Sequence, residues 1–179
     1  MPSISIKCRN CGAESAAEWR SIINVADNPE LKEQVISGSL FIHECPHCGT
    51  HSLIAEPVVY IDPEEKLIIL CSGKEMSLEP PEEGDWACFT VRQVREIGEL
   101  VEKVKIFHCG LDDSVMDLCK RVTVMEMKKE VPLKFFRTQG ADNEIIFTYP
   151  ENGQMEMIAI GFNVYEDCAA ILRNHNAGD

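Results

Sequence analysis

Cys8-Arg9-Asn10-Cys11-Gly12 and Cys45-Pro46-His47-Cys48-Gly49 are two copies of one unit, Cys-x-x-Cys-Gly. Two thiolates three positions apart on a tight turn can reach one metal ion. The glycine after the second lets the backbone turn left-handed and aim amides at sulfur. Two such turns supply the four sulfur ligands of tetrahedral zinc, so Cys8, Cys11, Cys45 and Cys48 are expected to bind one zinc ion. The 33 residues from Gly12 to Glu44 exceed the roughly 15 to 20 of the compact four-cysteine pattern, which predicts an inserted element.

Cys-Pro-His-Cys is also the redox sequence of thiol oxidases in the thioredoxin superfamily, so a thiol-disulfide oxidoreductase or redox switch working through Cys45 and Cys48 is the rival reading. That chemistry places the first cysteine at a helix N-terminus, whose dipole lowers its pKa. Here Gly49-Thr50-His51-Ser52 is poor helix, and Cys8 and Cys11 would be left without a task. The zinc reading uses all four cysteines.

Catalytic zinc keeps one position open, and four thiolates leave none. No His-Glu-x-x-His occurs, and His43-Glu44-Cys45-Pro46-His47-Cys48 lacks the deaminase order of His-x-Glu followed separately by Pro-Cys-x-x-Cys. No phosphate loop or Ser-His-Asp order stands out. No catalytic residue is assigned, and no cofactor besides zinc. His43, His47 and His51 surround the second turn and read as surface residues or as donors to thiolate, with replacement of one cysteine by a histidine as the alternative. His108 is accounted for by its place at a helix end.

A net charge of −13 opposes nucleic-acid binding, which needs clustered Lys and Arg. Lys120-Arg121 and Lys128-Lys129 read as the solvated face of a helix. Nine cysteines in a chain whose first residues lack an apolar signal region imply reduced thiols and a cytoplasmic setting, and no window is apolar enough for a membrane span. Cys71, Cys88, Cys109, Cys119 and Cys168 are expected to be small buried apolar residues. A homo-oligomer stays open, as does the identity of any protein partner or small ligand.

These residues need scaffolding. Ser3 to Lys7 alternates as a strand into the first turn, and Ala13 to Val25 reads as a further strand with Trp19 beside the metal. A short helix is capped by Asp27 or Asn28, opens at Pro29, turns Leu31 and Val35 inward and stops at Gly38. Leu40-Phe41-Ile42 is expected to run as a strand into Cys45. With so few apolar contacts between the two halves, a metal cross-link should supply the missing stability.

Val58 to Ile61 and Leu67 to Leu70 flank Asp62-Pro63-Glu64-Glu65 as a hairpin, with both faces covered by later helices. Glu79 to Asp85 is a solvated acidic loop. A strand from about Trp86 precedes a helix from Ile97 to His108, ended by Gly110. Asp112-Asp113-Ser114 caps a second helix with Val115, Leu118, Cys119, Val122 and Met125 on its apolar face. Strands follow around 133–138, 145–149 and 155–160, then a helix from Asn163 to Arg173, with His175 to Asp179 frayed. Helical runs segregated between strand runs predict an α+β fold: residues 1–56 a zinc-ribbon-like element with an inserted helix, residues 57–179 an α+β body of mainly antiparallel sheet packed with helices.

The paired cysteine turns, the Leu31-Lys32-Glu33 helix with Gly38, the hairpin of residues 58–70, and Leu100 to Lys120 with Gly110-Leu111-Asp112-Asp113 together resemble the bacterial CpXC domain family. The resemblance covers about the first two thirds of the chain. It implies two Cys-Pro-x-Cys motifs and metal binding, and names no activity. Arg9 stands where the first motif would have proline. The proline stiffens the turn, so its loss leaves the ligands in place. Gly110 to Asp113 has no metal role and reads as helix termination and capping.

Overall fold

The computed structural model describes residues 2–74 and 77–178. The fold is α+β, with four α-helices among the described residues, mainly antiparallel strand pairing and the four cysteines gathered in an N-terminal ribbon-like element. The chain forms two compact units, one ending at Val101 and one beginning at Glu102.

In the first unit, β1 (Ser3–Lys7) and β2 (Glu14–Glu18) form an antiparallel hairpin whose register sets Lys7 against Glu14. The expected single strand from Ala13 to Val25 is two strands. The chain leaves the hairpin at Trp19, and β3 (Ile22–Asn24) pairs parallel with another sheet. The helix α1 (Glu30–Ser37) starts one residue later than its proline suggested, with Pro29 at the cap and no side-chain cap bond. Leu31 and Val35 are its buried residues, and Gly38 ends it at φ 76°. Residues 39–41 form a 3-10 turn where a strand was expected, because Gly38 hands the chain on in a tight turn and Phe41 N–H bonds back to its carbonyl at 3.1 Å. Then β4 (Ile42–Glu44) and β5 (His51–Leu53) form a second antiparallel hairpin.

The strands β6 (Val58–Asp62) and β7 (Leu67–Cys71) are buried throughout. With β8 (Thr90–Val94) they complete a four-stranded sheet in the order β3-β6-β7-β8, antiparallel at its centre and parallel at both edges. One face of the hairpin, carrying Val59, Ile61, Ile68 and Leu70, is covered by Leu78, Trp86 and Phe89. The acidic loop is therefore a lid on this sheet, where helices were expected. Its apolar ends bury while the glutamates stay in water, and Trp86 Nε1–H donates to Pro81 O at 2.8 Å to fix the bend. The strand also begins later than Trp86.

The inserted segment has a core of its own. Trp19, Ile23, Leu31, Val35 and Phe41 are all buried, and the Trp19 and Phe41 rings stand 6.2 Å apart. Lys32 on α1 reaches Asp62 at the end of β6, Nζ to Oδ2 at 2.8 Å, and Asp62 is only 1% exposed. Tyr60 donates its hydroxyl hydrogen to the same oxygen at 3.1 Å, and Glu65 N–H donates to Oδ1, so the buried carboxylate is fully partnered.

The helix α2 (Ile97–His108) runs across the boundary between the units. In the second unit Gly110 closes it at φ 70°, with Leu111 N–H bonding back to Ile106 O at 3.1 Å. Asp112 then caps α3 (Asp113–Met127), accepting from the amides of Ser114 and Val115. The antiparallel strands β9 (Lys134–Gln139), β10 (Glu144–Glu151) and β11 (Gln154–Ile160) form a sheet ordered β11-β10-β9. Asn152 and Gly153, both at positive φ, make the two-residue turn between β10 and β11. The last helix, α4 (Phe162–Asn176), holds past the expected fraying point at His175. Asp179 lies outside the described residues.

Side chains depart from expectation at three places. Met125 is 77% exposed, and Met116 and Thr123 are the buried residues of α3 in its stead. Cys71, Cys119 and Cys168 are buried, but Cys88 and Cys109 are exposed. Lys120 is paired with Glu102, which also accepts Phe135 N–H at 2.6 Å.

Candidate metal centre

Both cysteine turns are closed by the same bonds. Cys8 N–H donates to Ala13 O at 2.8 Å and Gly12 N–H to Cys8 O at 2.9 Å; Cys45 N–H donates to Thr50 O at 2.9 Å and Gly49 N–H to Cys45 O at 2.8 Å. Gly12 and Gly49 sit at φ 73° and 71°, a conformation a side chain would strain. Each turn is thus the tip of a hairpin, the first between β1 and β2, the second between β4 and β5.

The four sulfurs all lie within 4.8 Å of one another. Cys8 Sγ is 3.6 Å from Cys48 Sγ and Cys11 Sγ is 3.7 Å from Cys45 Sγ, so each close pair bridges the two hairpins. Sulfurs at about 2.3 Å from one tetrahedral ion would stand about 3.8 Å apart. The donor set therefore fits a metal ion in spacing, number and chemistry. The first cysteine of each turn is buried and the second exposed, which puts one side of the cluster at the surface.

Electrostatics favour thiolate at two corners. The amides of Cys11 and Asn10 hold the Cys8 thiol below its ordinary value. Cys48 is pulled down to about 5 by the hydroxyl and amide of Thr50 and by the Asn10 side chain. Thr50 Oγ1 lies 3.2 Å from Cys48 Sγ, and Asn10 Nδ2 donates across the hairpins at 3.7 Å. The Ala13 amide pulls Cys11 the same way, but proton sharing with Cys48 and burial outweigh it and push that thiol up to about 12. The sulfurs compete for charge, as a cluster shaped for a cation does.

Asn10 and Thr50 were not singled out in the sequence. Asn10 is a variable position of the motif, and Thr50 stood out only as a weak helix former. Among the described residues none of the three nearby histidines joins the cluster. His43 instead faces Ser15, Nε2 to Oγ at 2.8 Å, which ties β4 to β2, while His47 and His51 are exposed. Cys45 begins a hairpin turn and no helix, so the thioredoxin-like setting of the rival reading is missing from the described residues.

An open groove of about 650 Å³ runs beside the second hairpin, lined by Phe41, Ile42, Leu53, Ile97 and Val101. Ile42 and Leu53, paired across the hairpin, are 44% and 58% exposed there. Among the described residues no helix is long and apolar enough to cross a membrane.

A family model described as CpXC protein covers residues 6–120, which takes in both cysteine turns, the four-stranded sheet, α2 and half of α3. No curated protein and no solved structure matches the chain.

Proposed function

The chain belongs to the CpXC family, and from that premise we propose that Cys8, Cys11, Cys45 and Cys48 bind one zinc ion whose task is structural. The observation that carries this is the packing of four sulfurs from two hairpins within 4.8 Å. Zinc supplies a four-coordinate, redox-inert cross-link and leaves no open position for a substrate. Asn10 and Thr50 orient and charge Cys48, and Ser15 with His43 holds the hairpins in register. The α+β remainder binds a protein or small ligand, and its Ile97 and Val101 line one open groove together with Ile42 and Leu53 of the ribbon. Reduced thiols and a −13 charge suit a cytoplasmic protein that keeps away from nucleic acid.

Cys48→Ser tests this reading. Zinc content should fall, and hydrogen exchange should speed over β1, β2, β4 and β5. Exchange in β3, α1, β6 and β7 should stay slow, because their contacts are independent of sulfur. A variant that keeps full protection in both hairpins but loses a thiol-disulfide exchange activity of the native protein would move the assignment to the redox reading.

A further inference from the structure

We propose that the free edge of β11 is a self-association surface, on which a second copy of this chain pairs antiparallel and joins the two three-stranded sheets into one. The strand lies at the margin of its sheet, bonded to β10 on one side, and among the described residues no element pairs with its far edge. Unpaired edges invite strand addition, and monomeric proteins blunt them with lysine, proline, bulges or short strands.

The two edges of this one sheet differ in that respect. The opposite edge, β9, carries Lys134 and Arg137, and its ladder with β10 is broken by a bulge between Ile146 and Phe147. The edge at β11 is seven residues of Gln-Met-Glu-Met-Ile-Ala-Ile, without proline, glycine, lysine or bulge. Its one charge is Glu156. Met155 and Met157 are 64% and 60% exposed. By alternation they share a face with exposed Ala159, while Ile158 and Ile160 pack toward the core.

The sequence of the strand selects both partner and register. Two identical antiparallel edges related by a twofold axis perpendicular to the sheet must centre on a residue, because paired side chains point to the same face. Centring on Glu156 would set that carboxylate against its own copy. Centring on Met157, the midpoint, pairs the whole strand and sets Glu156 against Ile158 of the other copy. It also lays Met155, Met157 and Ala159 of each copy in one apolar strip across the joint, Met155 against Ala159 and Met157 against itself. The apolar strip of each copy thus continues that of the other, and no like charges meet across the joint. Residues 154–160 lie beyond the stretch matched by the family model.

The test is sedimentation of the full chain over a range of concentrations, with the metal left as purified. The native protein should be a dimer that dissociates on dilution. Met157→Lys and Met157→Glu, at an exposed position and so without cost to folding, should each weaken the dimer by about tenfold or more, since like charges then meet at the axis. An equimolar mixture of the two variants should restore a heterodimer. A native protein that stays monomeric at the highest concentration reached overturns the proposal, as does a dimer that both variants leave unchanged.

Discussion

Ser15 on β2 and His43 on β4 meet at 2.8 Å, joining the two cysteine hairpins through a contact that involves no sulfur. It lies one residue beyond the pair Glu14–Lys7 in one hairpin and opposite Ser52 in the other. The hairpins are therefore held together just below their tips by this bond and at the tips by the cysteine cluster. Ser15→Ala should lower the melting temperature of chelator-stripped protein by the equivalent of about 1 kcal/mol. The metal-loaded protein, cross-linked at the tips, should shift far less. Thermal unfolding of both forms measures the difference.

Asn10 and Thr50 both approach the Cys48 sulfur, so they should tune metal retention without touching the fold. Thr50→Val and Asn10→Ala are each expected to weaken zinc by about tenfold, the usual scale for groups that hydrogen-bond a ligand. Competition with a coloured chelator reads the affinity, and unchanged far-ultraviolet circular dichroism would show that the fold is intact.

The buried contact of Lys32 with Asp62 predicts alkaline sensitivity. Burial of Lys32 favours its neutral form, but Asp62 and then Glu65 outweigh it and hold the ammonium above its ordinary value of 10.5. Burial, reinforced by Asp62, likewise pushes Tyr60 well above its ordinary value of 10.0. A group whose pKa is raised by folding contributes fully below its unfolded value and loses that contribution as pH climbs toward the folded one. Stability from this cluster should therefore be flat through neutral pH and fall above about pH 10. Lys32→Met, which strands the Asp62 carboxylate, should cost about 3 kcal/mol in urea unfolding at neutral pH.

Much of this was legible in the chain. The cysteine turns showed because spacing and the following glycines are local facts, and α2 and α3 showed because Gly110 and Asp112 punctuate them. Distant partners were invisible. Nothing in Glu79 to Asp85 announces that Trp86 folds its loop over β6 and β7, and nothing near Glu102 predicts that a glutamate is buried to receive Phe135 N–H. The break of Ala13 to Val25 into two strands follows from β3 joining β6, where Ile22 pairs with Val59, 37 residues away. Met125 was read inward by periodicity, yet the core is filled from Met116 and Thr123. His47 and His51 lie at the surface as their polar surroundings suggest, whereas the partner of His43, Ser15, is 28 residues away and could not be read from the second turn.

The most direct measurement is native mass spectrometry of freshly purified protein beside its denatured spectrum. A mass increase of one zinc ion per chain is expected, accompanied by loss of the protons of the four thiols. That increase should be lost on denaturation and absent from a variant with Cys8, Cys11, Cys45 and Cys48 all changed to serine. A native chain that carries no metal and is lighter by two hydrogens, with the linkage mapped to Cys45 and Cys48, would contradict it.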